Sequence, residues 1–144
     1  MTSNWAAFAI AEPAFAKTVE ERFAQHVHHV LATLRKDGSP RTSGLEVHFP
    51  DGELRLAMMP DSLKARDLLR DPRFSLMANP GEGTTLGGGD VRISGRAVPV
   101  EDPEATAFRV ELTEVTRTFV EDDKYLVVQV WNPGGGPVRT MKRT

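Results

Sequence analysis

A strand pattern that leads directly into a helix start constrains this chain more than any other feature. From residue 54 to residue 59, apolar side chains alternate with their neighbours, and the apolar set is Leu54, Leu56 and Met58. A period of two residues is typical of a strand with one buried face. Pro60 follows, and because proline cannot donate a hydrogen bond to a neighbouring strand, it ends the strand there. The chain is therefore predicted to contain a one-sided sheet that meets a helix at this point.

The residues after Pro60 predict a helix that begins with positive charge. Asp61 and Ser62 offer side-chain oxygens for the N-cap, and the helix is expected to end near residues 71–72. Lys64 lies in the first turn and Arg66 follows further along, although the helix dipole favours acids at this end. An anion held by these cations, the Ser62 hydroxyl and the free N–H groups would occupy a phosphate cradle. A surface helix with two solvated cations fits the spacing equally well.

The composition is that of an ordinary globular protein. The chain has 144 residues, of which 40% are hydrophobic and 26% charged, and this suits one soluble domain. A net charge of −2 argues against nucleic acid as the main partner. The chain has no cysteine, which excludes disulfides, thiolate catalysis and cysteine-ligated metals, and a cytoplasmic location is expected.

Residues 1–12 are expected to be a retained N-terminal extension of a single domain that spans residues 1–144. Their alanine-rich apolar run resembles that of a signal peptide, but no basic residue precedes the run and Glu12-Pro13 interrupts it. No apolar stretch in the sequence is long enough to cross a bilayer, so no membrane partner is expected.

The rest of the chain is predicted to be mainly β, an α+β fold with about six strands. Strands are predicted over residues 28–35, 41–49, 53–59, 74–78, 91–100 and 125–131, with a short last strand at 138–141. Helices are predicted over residues 13–26 and 102–112, where Pro13 and Pro103 suit the first turn.

Turn signals set the predicted connections. Asp37-Gly38 and the turn at residues 50–52 join the first three strands into an antiparallel meander. The glycine-rich residues 79–90 predict a mobile loop, and Gly95 inside a strand predicts a bulge. Several short strands in a chain of this length favour a small closed or nearly closed antiparallel barrel.

The four histidines provide no catalytic constellation. His26, His28, His29 and His48 stand in elements without a nucleophile motif, so Ser-His-Asp chemistry is not predicted. His28 and His48 fall on neighbouring strands, where a metal would be within reach of both. No third ligand accompanies them, so both are interpreted as ordinary strand residues and no metal site is predicted.

Several motifs, taken in order, resemble the pyridoxamine 5′-phosphate oxidase-like superfamily of split β-barrel flavin and deazaflavin proteins. They are Val30-Leu31-Ala32-Thr33-Leu34, Asp37-Gly38-Ser39-Pro40, Asp51-Gly52, Ser62-Leu63-Lys64-Ala65-Arg66-Asp67-Leu68, Asp71-Pro72-Arg73 and Val91-Arg92-Ile93-Ser94-Gly95-Arg96-Ala97. No single motif is specific, but their order and spacing between about His29 and Trp131 are family-like. The resemblance implies a six-stranded antiparallel split β-barrel with flanking helices.

The resemblance implies that a cofactor phosphate binds after the third strand. The family uses a serine and a lysine there, and the matching positions are Ser62 and Lys64. Leu63 stands where the family frequently has arginine, so one phosphate contact is missing, and Arg66 is the candidate replacement.

The resemblance also implies which residues surround the cofactor ring. In the strand before the cradle the matching residues are Ala57, Met58 and Met59, and thioethers pack well against a flat ring. The second strand borders the same cleft with Arg41, Thr42 and Ser43. Family members are homodimers that hold the cofactor at the subunit interface. Trp131 would suit this interface, although a place in the core is the preferred interpretation.

The implied activity is that of an oxidoreductase in which the bound cofactor exchanges hydride with an unidentified small molecule. The cofactor is FMN or the deazaflavin coenzyme F420. One alternative is a non-catalytic carrier, sensor or stress protein of the same fold. Another is a haem-binding relative, with His28, His29 or His48 as the iron ligand. Residues 138–143 do not reproduce the basic motif with which the vitamin B6 oxidase binds its substrate phosphate, so pyridoxine chemistry is not predicted.

Overall fold

The computed structural model describes residues 1–81 and 89–144, which form one sheet of eight strands and three helices. The helices are α1 (Trp5–Ala11), α2 (Pro13–Ala24) and α3 (Leu63–Arg70). The strands are β1 (His28–Leu34), β2 (Pro40–Glu46), β3 (Arg55–Met58), β4 (Arg73–Met77), β5 (Asp90–Val100), β6 (Thr106–Glu121), β7 (Tyr125–Trp131) and β8 (Arg139–Arg143). None of the three helices is long and apolar enough to cross a membrane.

All strand pairs are antiparallel, and the strands follow the order β2-β1-β4-β5-β6-β7-β8, with β3 paired to β6 beside this path. The predicted fold class, a mainly β split-barrel type with flanking helices, is confirmed. The number of strands is eight rather than six. Within residues 1–81 and 89–144, no pairing of β2 with β8 closes the sheet.

The predicted meander is wrong at its third strand. β1 and β2 form the expected hairpin, with Leu34 opposite Pro40. β3 instead pairs with β6, where Arg55 lies opposite Arg109. β2 ends early, at Glu46, and a 3-10 turn at Pro50–Gly52 redirects the chain before β3 begins. One isolated antiparallel bridge, between His48 and Arg55, remains of the predicted pairing, and Asp51 in the turn has a positive φ of 54°.

The predicted helix over residues 102–112 is also wrong, because β6 occupies residues 106–121. Asp102 and Pro103, which indicated a helix start, belong to a turn instead. In this turn Asp102 Oδ1 accepts hydrogen bonds of 2.9 Å from the N–H groups two and three residues later. From residue 108 to residue 112, buried apolar side chains alternate with charged ones. This period of two, in a segment rich in valine and threonine, outweighs the local helix signal.

Residues 1–12 contribute two side chains to the core. Asn4 Oδ1 caps α1 by accepting a hydrogen bond of 2.8 Å from the N–H of Ala7. Trp5 and Phe8 of α1 are buried, and the Phe8 ring centroid lies 4.6 Å from that of Trp131. The N-terminal segment therefore packs against the end of β7.

Two smaller predictions are confirmed. α2 begins at Pro13, as predicted, and buries Phe15, Val19 and Phe23, which recur at intervals of four residues along one face. The register of β5 against β6 shifts between Ser94 and Gly95, which is the predicted bulge. A Cβ atom on Gly95 would overlap the carbonyl oxygen of Glu111, so only glycine fits this close approach. The predicted mobile loop lies mostly outside the described residues, which stop at Gly81 and resume at Gly89.

Candidate functional site

The turn between β3 and α3 contains the residues of the predicted cradle. The alternation in β3 is confirmed, since Leu56 and Met58 are buried while Met59 is 77% exposed. Ser62 caps α3, and its Oγ accepts a hydrogen bond of 3.3 Å from the N–H of Ala65. Because the hydroxyl oxygen is the acceptor, its proton stays free to be donated. The first N–H groups of any α-helix also lack partners within the helix, so this helix start presents several donors.

α3 packs against β1, and two of its side chains also make hydrogen bonds to β2. Lys64 and Asp67 are three residues apart and share one face of the helix. Lys64 Nζ donates a hydrogen bond to the carbonyl oxygen of Gly44 in β2. Arg41 Nε, also from β2, donates to Asp67 Oδ2 over 2.8 Å. The structure therefore joins the segment around Lys64 to that around Arg41, and both residues are predicted cofactor contacts.

Asp67 is central to this contact, and the sequence did not single it out. Thr33 Oγ1 and Arg41 Nε both donate to its Oδ2 over 2.8 Å, and Arg70 Nη2 donates to its Oδ1 over 2.9 Å. Burial of this carboxyl acts to raise its pKa, but the three hydrogen bonds outweigh burial and leave the pKa below its ordinary value. The one signal in the sequence is the spacing of three residues to Arg70, which is typical of an ion pair on a helix.

Ser43 adds a buried hydroxyl that has no partner. It lies two residues after Arg41 in β2, so the two side chains share one face of the strand. Ser43 Oγ is buried without a hydrogen-bond partner among the described residues. Leaving such a group unsatisfied costs about 1–3 kcal/mol. In native structures it calls for an explanation, such as a ligand or water that completes the site.

Three other predicted residues do not join this group. Thr42 is exposed and points to the opposite face of β2 from its two neighbours. Met58 and Trp131 are each only 6% exposed, so their side chains pack inside the chain rather than line a cleft. The core interpretation of Trp131 is therefore confirmed.

The remaining predicted residues form an exposed rim around the cradle. Ala57 and Met59 lie on the outer face of β3 and the turn that follows it. Leu63 is 57% exposed at the start of α3. Arg66 is exposed three residues later, so it stands on the same face of α3 about one turn further on. A cation is thus present on the face where Leu63 replaces the arginine of the family.

The histidines have structural roles or lie at the surface. His29 is buried; its Nε2 donates to the carbonyl oxygens of Phe23 and His26 over 2.9 Å, and its Nδ1 accepts from the N–H of Asn79 over 2.8 Å. Both ring nitrogens are therefore used within the fold. His28 and His48 are exposed, with Nε2 at 3.8 and 3.6 Å from the Glu46 carboxylate. Among the described residues, no three histidines or acids are arranged to hold a metal ion.

The fold defines the class of the protein: an antiparallel split-barrel type with flanking helices. A sequence profile described as pyridoxamine 5′-phosphate oxidase matches residues 15–121. The chain belongs to this family.

Solved structures with the same fold differ widely in what they bind. PhzG from Burkholderia lata 383, in complex with tetrahydrophenazine-1-carboxylic acid, is 16% identical over 93% of both chains with a TM-score of 0.69. A pyridoxamine 5′-phosphate oxidase-related, FMN-binding protein from Nostoc punctiforme is 11% identical, with a TM-score of 0.65 over 92% of this chain and 95% of that one. The haem storage protein HutZ from Vibrio cholerae is 18% identical, with a TM-score of 0.54 over 71% of this chain and 89% of that one. At these identities the likeness shows the fold alone.

Proposed function

We propose that this chain binds a flavin-type cofactor, FMN or a deazaflavin, through its phosphate and acts as an oxidoreductase on a small molecule. The observation that carries the proposal is the contact of α3 with β2, which joins the segments of Lys64 and Arg41 beside the Ser62 cap. The FMN-binding relative of the same fold supports a flavin-type ligand.

The residues of the cradle fit a phosphate monoester. Lys64 and Arg41 supply two positive charges, which match a group that carries nearly two negative charges at neutral pH. The Ser62 hydroxyl and the first N–H groups of α3 add neutral donors. The hydroxyl of Ser43, buried on the same face of β2 as Arg41, is a further donor of this kind.

The chemistry of hydride transfer would come from the cofactor ring, as in flavin and nicotinamide enzymes generally. The protein would hold the phosphate at the cradle and thereby fix the position of the ring. Ala57 and the thioether of Met59, both exposed beside the cradle, offer apolar surface to one side of the ring. A cytoplasmic location, expected from the lack of cysteine, is part of the same proposal.

A homodimer that covers the cradle completes the proposal. Large apolar side chains near the site are exposed in the single chain, notably Met59, Leu63 and Val30. A shallow cavity of about 180 Å³ also lies on the outer side of β1 and β4. Apolar surface of this kind is typical of sites that bind another protein or a ligand.

The test of the cradle is the substitution Lys64→Ala. Purified protein is titrated separately with FMN and with deazaflavin, and binding is followed by fluorescence. Loss of a charge-assisted hydrogen bond is expected to weaken binding by about 1.5–3 kcal/mol, which is about ten- to a hundredfold. Lys17→Ala is the matched control, because Lys17 is an exposed lysine on α2 that pairs only with Glu21.

The outcomes separate the candidate functions. Unchanged affinity in Lys64→Ala would remove the cradle from the proposal. Binding without turnover of reduced cofactor against a panel of acceptors would favour a non-catalytic carrier. Failure to bind either cofactor, together with a Soret band on addition of haem, would favour the haem-binding relative, with His28 or His48 as the ligand to test next.

A further inference from the structure

We propose that Asp67 is a positioning residue for the anion site: it holds Arg41 by its Nε edge and leaves the two terminal amino groups of Arg41 to bind the ligand phosphate. This inference rests on the proposed function, because it assigns Arg41 to the same cofactor phosphate as Lys64. Asp67 itself touches no ligand in this arrangement.

The geometry fixes Arg41 from one side only. Thr33 and Arg41 are directly opposed partners in the β1–β2 ladder, and both donate to the same oxygen, Asp67 Oδ2, over 2.8 Å. The contact to Arg41 uses Nε. Among the described residues, no hydrogen-bond partner takes either of its terminal amino groups. A guanidinium has five N–H donors in a rigid fork, so the Nε contact sets the direction of the remaining four.

Asp67 is itself held in place on its other side. Arg70 Nη2 donates both to Asp67 Oδ1 and to the carbonyl oxygen of Leu34 at the end of β1. Because Asp67 is 2% exposed, the carboxylate cannot swing out into solvent without breaking these bonds. Positional precision of this kind is what an anion site requires of its donors.

The balance of charge leaves the site positive. One carboxylate lies between two guanidinium groups, those of Arg41 and Arg70, so this cluster keeps one net positive charge. Lys64 adds a second charge from the same face of α3, where it contacts only the neutral carbonyl of Gly44 among the described residues. Asp67 therefore orients Arg41 without cancelling the attraction of the site for a phosphate.

The test compares FMN with riboflavin, which lacks the phosphate. In Asp67→Asn the isosteric amide keeps the volume but loses the charge that holds Arg41. We expect the dissociation constant for FMN to rise about tenfold or more, the effect of a lost charge-assisted contact, with that for riboflavin unchanged. The Nε–H resonance of Arg41 in a ¹⁵N NMR spectrum should also lose its protection from solvent exchange.

Two further variants make the test decisive. Asp71→Asn is the matched control, since Asp71 pairs only with Arg73 at the surface just after α3 and should alter neither readout. Arg41→Gln should weaken FMN binding to the same extent as Asp67→Asn, and the double substitution should cause no further loss of FMN affinity. If Asp67→Asn does not fold, Arg41→Gln alone decides, because unchanged FMN affinity in that variant would overturn the proposal.

The remaining outcomes separate this inference from the function on which it rests. Equal weakening of FMN and riboflavin in Asp67→Asn would show a merely structural role and overturn the inference. If the wild-type protein binds inorganic phosphate but not FMN, the proposed function fails and a phosphate titration of the same variants decides the role of Asp67. If the wild-type protein binds neither, both proposals are overturned.

Discussion

His29 shows how a single buried side chain makes this fold sensitive to pH. Its Nδ1 accepts from Asn79 at the end of β4, while its Nε2 donates to two carbonyl oxygens at the end of α2. These partners require the neutral ring with its proton on Nε2. Burial is the main cause that lowers the pKa of His29 below its ordinary value. Protonation would replace the acceptor Nδ1 by a donor and break the contact with Asn79.

The native state should therefore lose stability as the medium is acidified through the histidine range. A His29 that titrates below about 6.5 binds fewer protons in the folded chain than in the unfolded one, so stability rises with pH in this window. Its contribution is complete above pH 6.5 and is lost as the pH falls through the folded pKa. Urea unfolding at several pH values between 5.5 and 7.5 measures how the free energy of unfolding changes with pH.

Two histidine variants test whether His29 causes this dependence of the unfolding free energy on pH. His29→Gln should flatten it, while His48→Gln should leave it unchanged because His48 is exposed. An equal slope in His29→Gln and the unsubstituted protein would contradict the assignment.

Asp67 and Arg41 illustrate, also at the residue scale, what a sequence pattern can and cannot reveal. The cap at Ser62 and the cations at Lys64 and Arg66 follow from local rules, and the structure confirms the cap. The pairing of Asp67 with Arg41 joins residues 26 positions apart and depends on the packing of α3 against the sheet. Local spacing contains no information about such a contact.

At the scale of whole elements, α1 and β6 depart from the sequence-based expectation for different reasons. Just before β6, residues 102–104 carry a local helix signal, whereas the residues that follow alternate with the period of two that is typical of a strand. The segment forms a strand because it pairs with β5 on one side and with β7 on the other. In α1 the signal is composition: alanine-rich residues resemble an exported leader, whereas Trp5 and Phe8 are buried anchors. Strands that end at clear turn residues were predicted almost to the residue, as in β1 and in the compact apolar run of β7.

Docking of α1 should make a large contribution to stability. Phe8 is fully buried and its ring contacts those of Trp5, Phe15 and Trp131. Phe8→Ala is therefore expected to lower the free energy of unfolding by about 3–5 kcal/mol, the usual range for a buried aromatic residue. Urea unfolding followed by tryptophan fluorescence measures this loss.

The neighbouring Ile10 supplies the control on the same helix. It is 83% exposed, so Ile10→Ala should change stability by no more than about 0.5 kcal/mol. Similar losses in the two variants would contradict burial of Phe8 as the source of the stabilisation, because alanine favours a helix at both positions.

At the scale of the whole molecule, the proposed homodimer makes a prediction of its own. The molecular mass measured by sedimentation should be twice the 15.9 kDa of one chain. Met59→Glu places a charge on exposed apolar surface beside the cradle and should shift the equilibrium towards the monomer, because an unpaired charge is costly to bury. Analytical ultracentrifugation over a range of concentrations measures both effects.

Ile10→Glu is the control for this prediction, because Ile10 is equally apolar and exposed but lies on α1. A wild-type protein that remains monomeric at all concentrations, with and without FMN, would remove the dimer from the proposal. A dimer that dissociates in Ile10→Glu but not in Met59→Glu would move the interface away from the cradle.

The central position of β6 also sets the order in which the chain can be assembled during synthesis. β6 pairs with β3, β5 and β7. In the pairing with β3, Arg55 lies opposite Arg109, so β3 has no strand partner until roughly fifty further residues have been synthesised. A ribosome adds about 5–20 residues per second, so the β1–β2 hairpin closes seconds before β3 is tethered. β3 therefore gains its partner only after the start of β6 has been synthesised. The proposed cofactor would thus meet a β3 that is already paired and would not act as a template for the β1–β2 hairpin.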